Sequence, residues 1–270
     1  MKYTIKVNPK YTSAAEWDMT ADSAFEVTNI EGLVPPAVDI ALAVGVNRDG
    51  GIYKASRMNE RNIVIEAAVN EPAVENRLAL YGHFPAHQLL TLKMSDGERS
   101  VHIDGYVESI EVGIFDKREK AQISIICPSP AFVDDTSVTG IIVKGTSHLI
   151  VNDSDLSCGV IMRLTASGTD AVSPAVRLNY RANGVLISQW MRFAGTIPAG
   201  DTLIIDTIPG EKSITLSSGG TETNALSMLD LSASEWLSLP PGTVYVAIDS
   251  EGNAMNLEAI MTYTKLYGGI

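Results

Sequence analysis

Hydrophobic residues in this chain recur at every second position, and that period constrains the fold more than any other feature. Ile63, Ile65, Ala67 and Val69 share one parity in NIVIEAAV. Leu90, Leu92 and Met94 do so in QLLTLKM, and Ala121, Ile123, Ile125 and Cys127 in AQISIIC. Side chains alternate across a strand, so each run predicts a half-buried strand with one face turned to a core. Asp96-Gly97 and Asn183-Gly184 supply residues that tolerate positive φ, as tight hairpins demand. The pattern predicts an antiparallel, mainly β protein.

Two departures from the simple period are informative. Between Arg99 and Phe115 the parity changes: Val101, Ile103 and Val107 hold one phase, Ile110, Val112 and Ile114 the other. A bulge or bend between Val107 and Ile110 reconciles them. In NEPAVENRLALYGHF, Val74, Leu78 and Tyr81 recur at helical spacing with Leu80 and Phe84 beside them. Asn70 or Glu71 can cap this helix, Pro72 suits its first turn and Pro85 stops it. The stripe Val74, Leu78 and Tyr81 is expected to contact the core.

The seam between domains is placed at CPSPAFVDDTS, because Pro128 and Pro130 cannot both continue a strand ladder and Asp134-Asp135 forms a solvated corner. That gives residues 1–132 as a split-barrel or β-sandwich domain with one packed helix, and residues 133–270 as a second β-sandwich. The second part has short strand-like runs with turn signals between them and no convincing long helix, which suits a sandwich. Its stretch from Gly210 to Met228, mixing Ser, Thr, Gly and Asn, reads as loop-rich.

Composition sets limits on function. The chain has 270 residues, 45% hydrophobic and 19% charged, with a formal net charge of −12. Such a chain can bury a sizeable core and does not read as disordered. The acidity is distributed: residues 1–134 hold 13 basic and 19 acidic side chains, residues 135–270 hold 7 and 13, so each part carries −6. Clustered positive charge, which sequence-specific nucleic-acid binding would require, is absent. No apolar run suits a membrane helix, and MKYTIKVNPK lacks the apolar centre of a signal peptide. The only cysteines, Cys127 and Cys158, lie in apolar strand-like runs and read as buried free thiols of a protein made in a reducing compartment.

Motifs for chemistry are missing. His83 and His87 have the spacing of ligands on one helix face, but Pro85 between them breaks the helix and no carboxylate pattern completes a zinc site. There is no Gly-x-Ser-x-Gly elbow and no local catalytic cysteine signature. Asp49-Gly50-Gly51 and Gly219-Gly220 do not lead into helices, so they do not cradle phosphate. DSDLS at 153–157 and DSEGN at 249–253 lack the ligand spacing of a calcium loop. No catalytic residue, metal ligand or cofactor is assigned, and an enzyme is not expected.

Two surface features remain. The stretch VNRDGGIYKASRMNERN at 46–62 is long and polar. Its Arg48, Asp49, Lys54, Arg57, Glu60 and Arg61 suit either an extended hairpin with solvated charges or a protein–protein contact arm, since arginines pair bidentately with carboxylates. Trp190 ends the run VLISQW and is the candidate platform for stacking a sugar. Trp236, ahead of LSLPPG, reads instead as a core plug.

Over nearly its whole length the chain resembles the distal tail protein family of long, non-contractile-tailed bacteriophages. The residues that carry the resemblance are FEVTNIEGLVPPAVDI at 25–40, the DGG…SRMNERNIVIE run at 49–66 and ENRLALYGHF at 75–84. They continue with the hairpin LTLKMSDGERSVHIDGYVESIEV, ISIICPSPAF at 123–132, GDTLIIDT at 200–207, WLSLPPG at 236–242 and the ending YTKLYGGI. The resemblance implies that the second sandwich is galectin-like. It also implies a homohexameric ring at the virion tail tip, between the tail tube protein and the tail-associated hub protein, able to carry receptor-binding proteins. The virion part would be made in the bacterial cytoplasm, and DNA would pass through the ring's lumen. Two other classes stay open: a carbohydrate-binding β-sandwich protein acting at the host surface, and a different tail tube or hub ring protein.

Overall fold

The computed structural model describes residues 4–9, 16–46, 49–251 and 257–270, and the alternating runs are strands in it. Arg48, and Gly252 and Asn253 of the DSEGN segment, lie outside the described residues. The chain divides into two compact units, residues 1–135 together with 267–270, and residues 136–266. The last four residues thus belong with the first unit, a return that a cut near residue 132 does not foresee.

In the first unit, β1 (Thr4–Pro9), β2 (Trp17–Asp18), β3 (Phe25–Glu31), β4 (Val38–Val44), β5 (Gly51–Met58) and β6 (Arg61–Val69) precede helix α1 (Ala73–His83). Then come β7 (Leu89–Ser95), β8 (Ser100–Val112), β9 (Lys120–Cys127) and β10 (Phe132–Val143), the last carrying the chain into the second unit. The strands pair antiparallel in the order β3–β6–β9–β8–β7–β1–β2. Strand β8 changes partners along its length: residues 100–106 pair with β7 and residues 106–112 with β9. The register slips between Val107 and Ser109, inside the interval where the parity change requires it. One extra residue on one strand reverses which side chains face inward. Gly105 lies beside this crossing, where an added Cβ would stand 2.7 Å from Ile125 Cγ2 and 2.9 Å from Cys127 Sγ.

The first core is built from the predicted parities: Ile63, Ile65, Ala67 and Val69 of β6, Leu90, Leu92 and Met94 of β7, and Ala121, Ile123, Ile125 and Cys127 of β9 are all buried. The helix packs differently from expectation. Leu80 and the following Phe84 are buried, but Val74 and Leu78 are 58% and 61% exposed and Tyr81 is exposed as well. The inward face is Arg77–Leu80–Phe84. Arg77 Nη1 donates to both carboxylate oxygens of Glu119, at 2.7 and 2.8 Å, with both side chains largely buried. A polar pair on the inward face excludes the apolar stripe from it, because a helix presents positions three and four apart on one side only.

In the second unit the remainder of β10 is followed by β11 (His148–Asn152), β12 (Val160–Ala166), β13 (Ala171–Ala182), β14 (Val185–Arg192) and β15 (Thr196–Ile197). The chain continues through β16 (Thr202–Asp206), β17 (Ser213–Ser218), β18 (Thr221–Asn224), β19 (Gly242–Glu251) and β20 (Leu257–Tyr267). One sheet runs β18–β17–β16–β12–β20–β10. The other runs β11–β19–β13–β14, with β15 on the start of β13. Their inner faces share one core that includes Val160, Met162, Leu164, Val176, Leu178, Met191, Leu203, Val246 and Met261. This is a β-sandwich, and the molecule is mainly β with a single α-helix among the described residues. The stretch read as loop-rich is more regular than expected: β17 and β18 form a hairpin there, followed by a 3-10 turn at Leu226–Met228.

Both cysteines are free and buried. Burial pushes the thiol of Cys127 up to about 12 and that of Cys158 up to about 11, which leaves both as inert thiols at neutral pH.

Candidate assembly surface

The polar arm predicted at 46–62 is the second half of a separate hairpin. Strands β4 and β5 pair only with each other among the described residues, from Val38↔Met58 to Val44↔Gly51, with a slip between Ala41 and Leu42. A two-stranded ribbon without a packed face is marginal in water. This one nevertheless presents large apolar side chains to solvent. Ile40 is 60% exposed and Val44 83%, and Val38, Leu42, Val46, Ile52 and Tyr53 are exposed too. Patches of this kind on a soluble protein mark protein contacts.

The predicted charged residues divide between surface and interior. Asp49, Lys54, Arg57 and Glu60 are exposed on the hairpin or its ends. Arg57 lies 3.6 Å from Asp39 across the ribbon, and Asn59 donates to the same carboxylate at 3.1 Å. Exposed pairs of this sort contribute little to stability, so these charges remain available to a neighbour.

Arg61 requires correction: it is not part of an accessible arm. It is 2% exposed. Its Nε donates to Pro130 O at 2.9 Å, its Nη1 to Val34 O at 2.8 Å and to Gly32 O, and its Nη2 to Gly268 O at 2.6 Å. The guanidinium also lies over the Phe132 ring, 4.2 Å from its centre. Burial draws its pKa below the ordinary arginine value. Arg61 opens β6 with the same parity as Ile63 and Ile65, so the strand turns it inward. Gly32 meets it with φ +85, and a Cβ there would collide with the backbone oxygen of Asn62.

The last residues of the chain are held by this centre and its surroundings. Arg99 donates to Gly269 O at 3.0 Å and lies over the Tyr267 ring at 4.2 Å. Tyr267 donates to Asp134 at 2.9 Å, and Ile270 N donates to Leu33 O at 3.1 Å.

Sequence reasoning missed the apolar half of the hairpin. Val38, Ile40, Leu42 and Val44 alternate as a half-buried strand would, and the alternation is a visible signal. What it lacks is a sheet of its own to cover it. Trp190 lies on β14 in the second unit, partly buried, on the outer face of its sheet. Trp236 packs at the edge of the core, with Lys212 Nζ 5.3 Å from its ring centre. Among the described residues, no group of three or more His, Cys, Asp or Glu side chains is placed to hold a metal ion. No described helix is long and apolar enough to cross a membrane.

No protein-family model matches the sequence, and none of the curated proteins does. Solved structures match along nearly the whole chain. The crystal structure of the Dit protein (gp 19.1) of phage SPP1 is described as a paradigm of the hub adsorption apparatus in phages infecting Gram-positive hosts. It aligns over 98% of this chain and 99% of its own, with a TM-score of 0.71 at 14% identity. A chain of the phage P2 baseplate in its activated conformation aligns over 98% of both chains, with a TM-score of 0.48 at 11% identity. From end to end, then, the chain is folded like the SPP1 Dit protein.

Proposed function

We propose that this chain is a structural, non-enzymatic component of the tail tip of a long-tailed phage. Six copies close into a ring that joins the tail tube protein to the tail-associated hub protein. The ring carries receptor-binding components and leaves a lumen for DNA. The observation that carries this reading is the β4–β5 hairpin, an apolar ribbon that no sheet among the described residues covers. A ring needs head-to-tail contacts that close, and a projecting ribbon seated on the next copy is a contact of that type. Asp49, Lys54, Arg57 and Glu60 on the same hairpin would set its register by pairing with a neighbour's charges. The fold shared with SPP1 Dit supports the placement at an adsorption hub. The acid excess suits a wall that duplex DNA must pass without sticking.

Light scattering after size-exclusion chromatography tests this reading, with electron microscopy of the same fractions. Rings of six are the expected species at high protein concentration. The double substitution Leu42→Asp with Ile52→Asp should leave monomers with unchanged thermal unfolding, because both side chains are exposed in the single chain. A wild-type chain that stays monomeric throughout, or a double variant that assembles like wild type, would remove the support.

A further inference from the structure

Helix α1 carries a second apolar face that its own unit leaves open. Val74, Leu78 and Tyr81 are 58%, 61% and 41% exposed. They stand four and three residues apart, so they form one stripe along one side of the helix. The Arg77–Glu119 pair turns the other side inward and keeps this stripe in solvent. One exposed leucine needs no account, but a stripe of three large residues does.

Gly82 is an independent sign that something lies against this side. It follows Leu78 by four residues. A Cβ built there would meet nothing within 4 Å, so packing inside the chain does not call for glycine. Glycine within a helix is destabilising relative to alanine. Gly82 and the exposed Ala79 leave a low shelf beside Leu78, over which another backbone can pass closely.

The β4–β5 hairpin has the complementary form. Residues two apart on a strand share a face, which puts Val38, Ile40, Leu42 and Val44 together. The register sets Met58, Ser56 and Tyr53 opposite the first three, and the Tyr53 hydroxyl lies 2.8 Å from that of Ser56. Asp39 and Arg57 pair on the other side of the ribbon. The apolar side runs about 13 Å from Ile40 to Val44, and the helix stripe about 10 Å from Val74 to Tyr81. Charge matches as well. Lys54, the unpaired residue at the register slip, is exposed beside Tyr53, and Glu71 and Glu75 are exposed at the start of α1. Another exposed apolar group of the unit, Ile114 and Phe115, sits with Lys117, Arg118 and Lys120 against Asp116, a balance of the same sign as Lys54.

We propose that the Val74–Leu78–Tyr81 face of α1 is the seat for the β4–β5 hairpin of a second copy of this chain. The inference rests on the ring reading and names the surface that receives the contact. Head-to-tail closure requires two different, mutually complementary faces on each copy. The chain attaches these two at opposite ends of β6: the hairpin leads into the Arg61 end and α1 follows the Val69 end, about 26 Å away.

Two variants of the full-length chain separate the halves of the contact. Ile40→Asp with Leu42→Asp disables the hairpin and keeps the helix. Leu78→Lys with Tyr81→Lys disables the helix and keeps the hairpin. Lysine is a good helix former and both helix positions are exposed, so thermal unfolding should match wild type. Each variant alone should be monomeric in light scattering. An equimolar mixture should give dimers and nothing larger, since one working hairpin and one working helix remain to make a single contact. The mixture is cross-linked with glutaraldehyde before sizing, at the concentration where the wild type assembles, so that a weak single contact is trapped. Should the lysine variant lower the melting temperature, Gly82→Leu must abolish assembly without lowering it. Rings in the lysine variant, or a mixture that yields no dimers or closes into rings, overturns the seat on α1 while wild-type rings leave the ring reading standing. A wild-type chain that never assembles removes both.

Discussion

A guanidinium buried among backbone carbonyls is held by directed hydrogen bonds, and Arg61 shows how much geometry one such group can set. It joins segments near Gly32, Val34, Pro130 and Gly268, which are far apart in sequence. Removing it takes a charged donor away from four backbone oxygens. Arg61→Met should therefore destabilise the chain in urea unfolding by at least the roughly 1–3 kcal/mol that a buried group left unsatisfied costs. Arg61→Lys should rescue little of this, because a compact ammonium cannot reproduce the planar fork. Arg57→Met, on the exposed hairpin, should unfold like wild type. A second residue-scale consequence concerns pH. His83 stacks on Trp17, with ring centres 3.9 Å apart and planes 8° from parallel, while Trp17 Nε1 donates to Asp22 at 2.9 Å. Burial lowers the His83 pKa and the nearby Asp22 charge only partly offsets it. The folded state thus prefers the neutral ring. Its contribution is complete above the unfolded-state value of about 6.5 and is lost as pH falls from there through the folded value. Melting temperature should drop over that interval in the wild type, and His83→Gln should flatten that part of the profile.

At the scale of elements, sequence periodicity was legible wherever a strand is covered by its own chain. The parities of β6, β7 and β9 predicted their buried residues, and the phase change in β8 predicted its bulge to within two residues. Periodicity misled where two faces could both be read as apolar. In α1, Val74–Leu78–Tyr81 is the more hydrophobic stripe, yet the inward side is Arg77–Leu80–Phe84, because Glu119 on the approach to β9 supplies the partner for Arg77. Nothing local announces that pair. The β4 strand misleads in another way: alternation states that one face is to be covered, without stating by which chain. Arg61 was legible in principle, since it shares the parity of Ile63 and Ile65. Reading it with the neighbouring charges obscured that. The surroundings of Trp190 were half legible. The tryptophan stands out in sequence, but Arg177 and Asp249 reach it only through strand pairing across long separations.

For the whole molecule, the net charge and the apolar hairpin act in opposite directions on assembly, and their balance decides how a ring responds to salt. Each copy carries −12, so the proposed ring of six would carry about −72. Self-repulsion of that kind opposes closure and weakens as salt shortens the screening length, from about 30 Å at 0.01 M to about 10 Å at 0.1 M. In the proposed ring the hairpin would contribute chiefly through Ile40, Leu42, Val44 and Ile52, exposed in the single chain, whose burial against a neighbour would be insensitive to screening. Its charged residues act in the opposite sense, since salt weakens any pairs that Lys54 and Arg57 make across the contact. The apolar residues outnumber these charges, and exposed ion pairs contribute about 0–1 kcal/mol each. The hexamer fraction at fixed protein concentration should therefore rise as NaCl is raised from about 0.02 M to 0.5 M. Light scattering measures it directly, and Leu42→Asp with Ile52→Asp should hold the chain monomeric at every salt concentration. A ring that instead falls apart on adding salt would mean that Asp49, Lys54, Arg57 and Glu60, rather than the apolar edge beside them, hold the copies together.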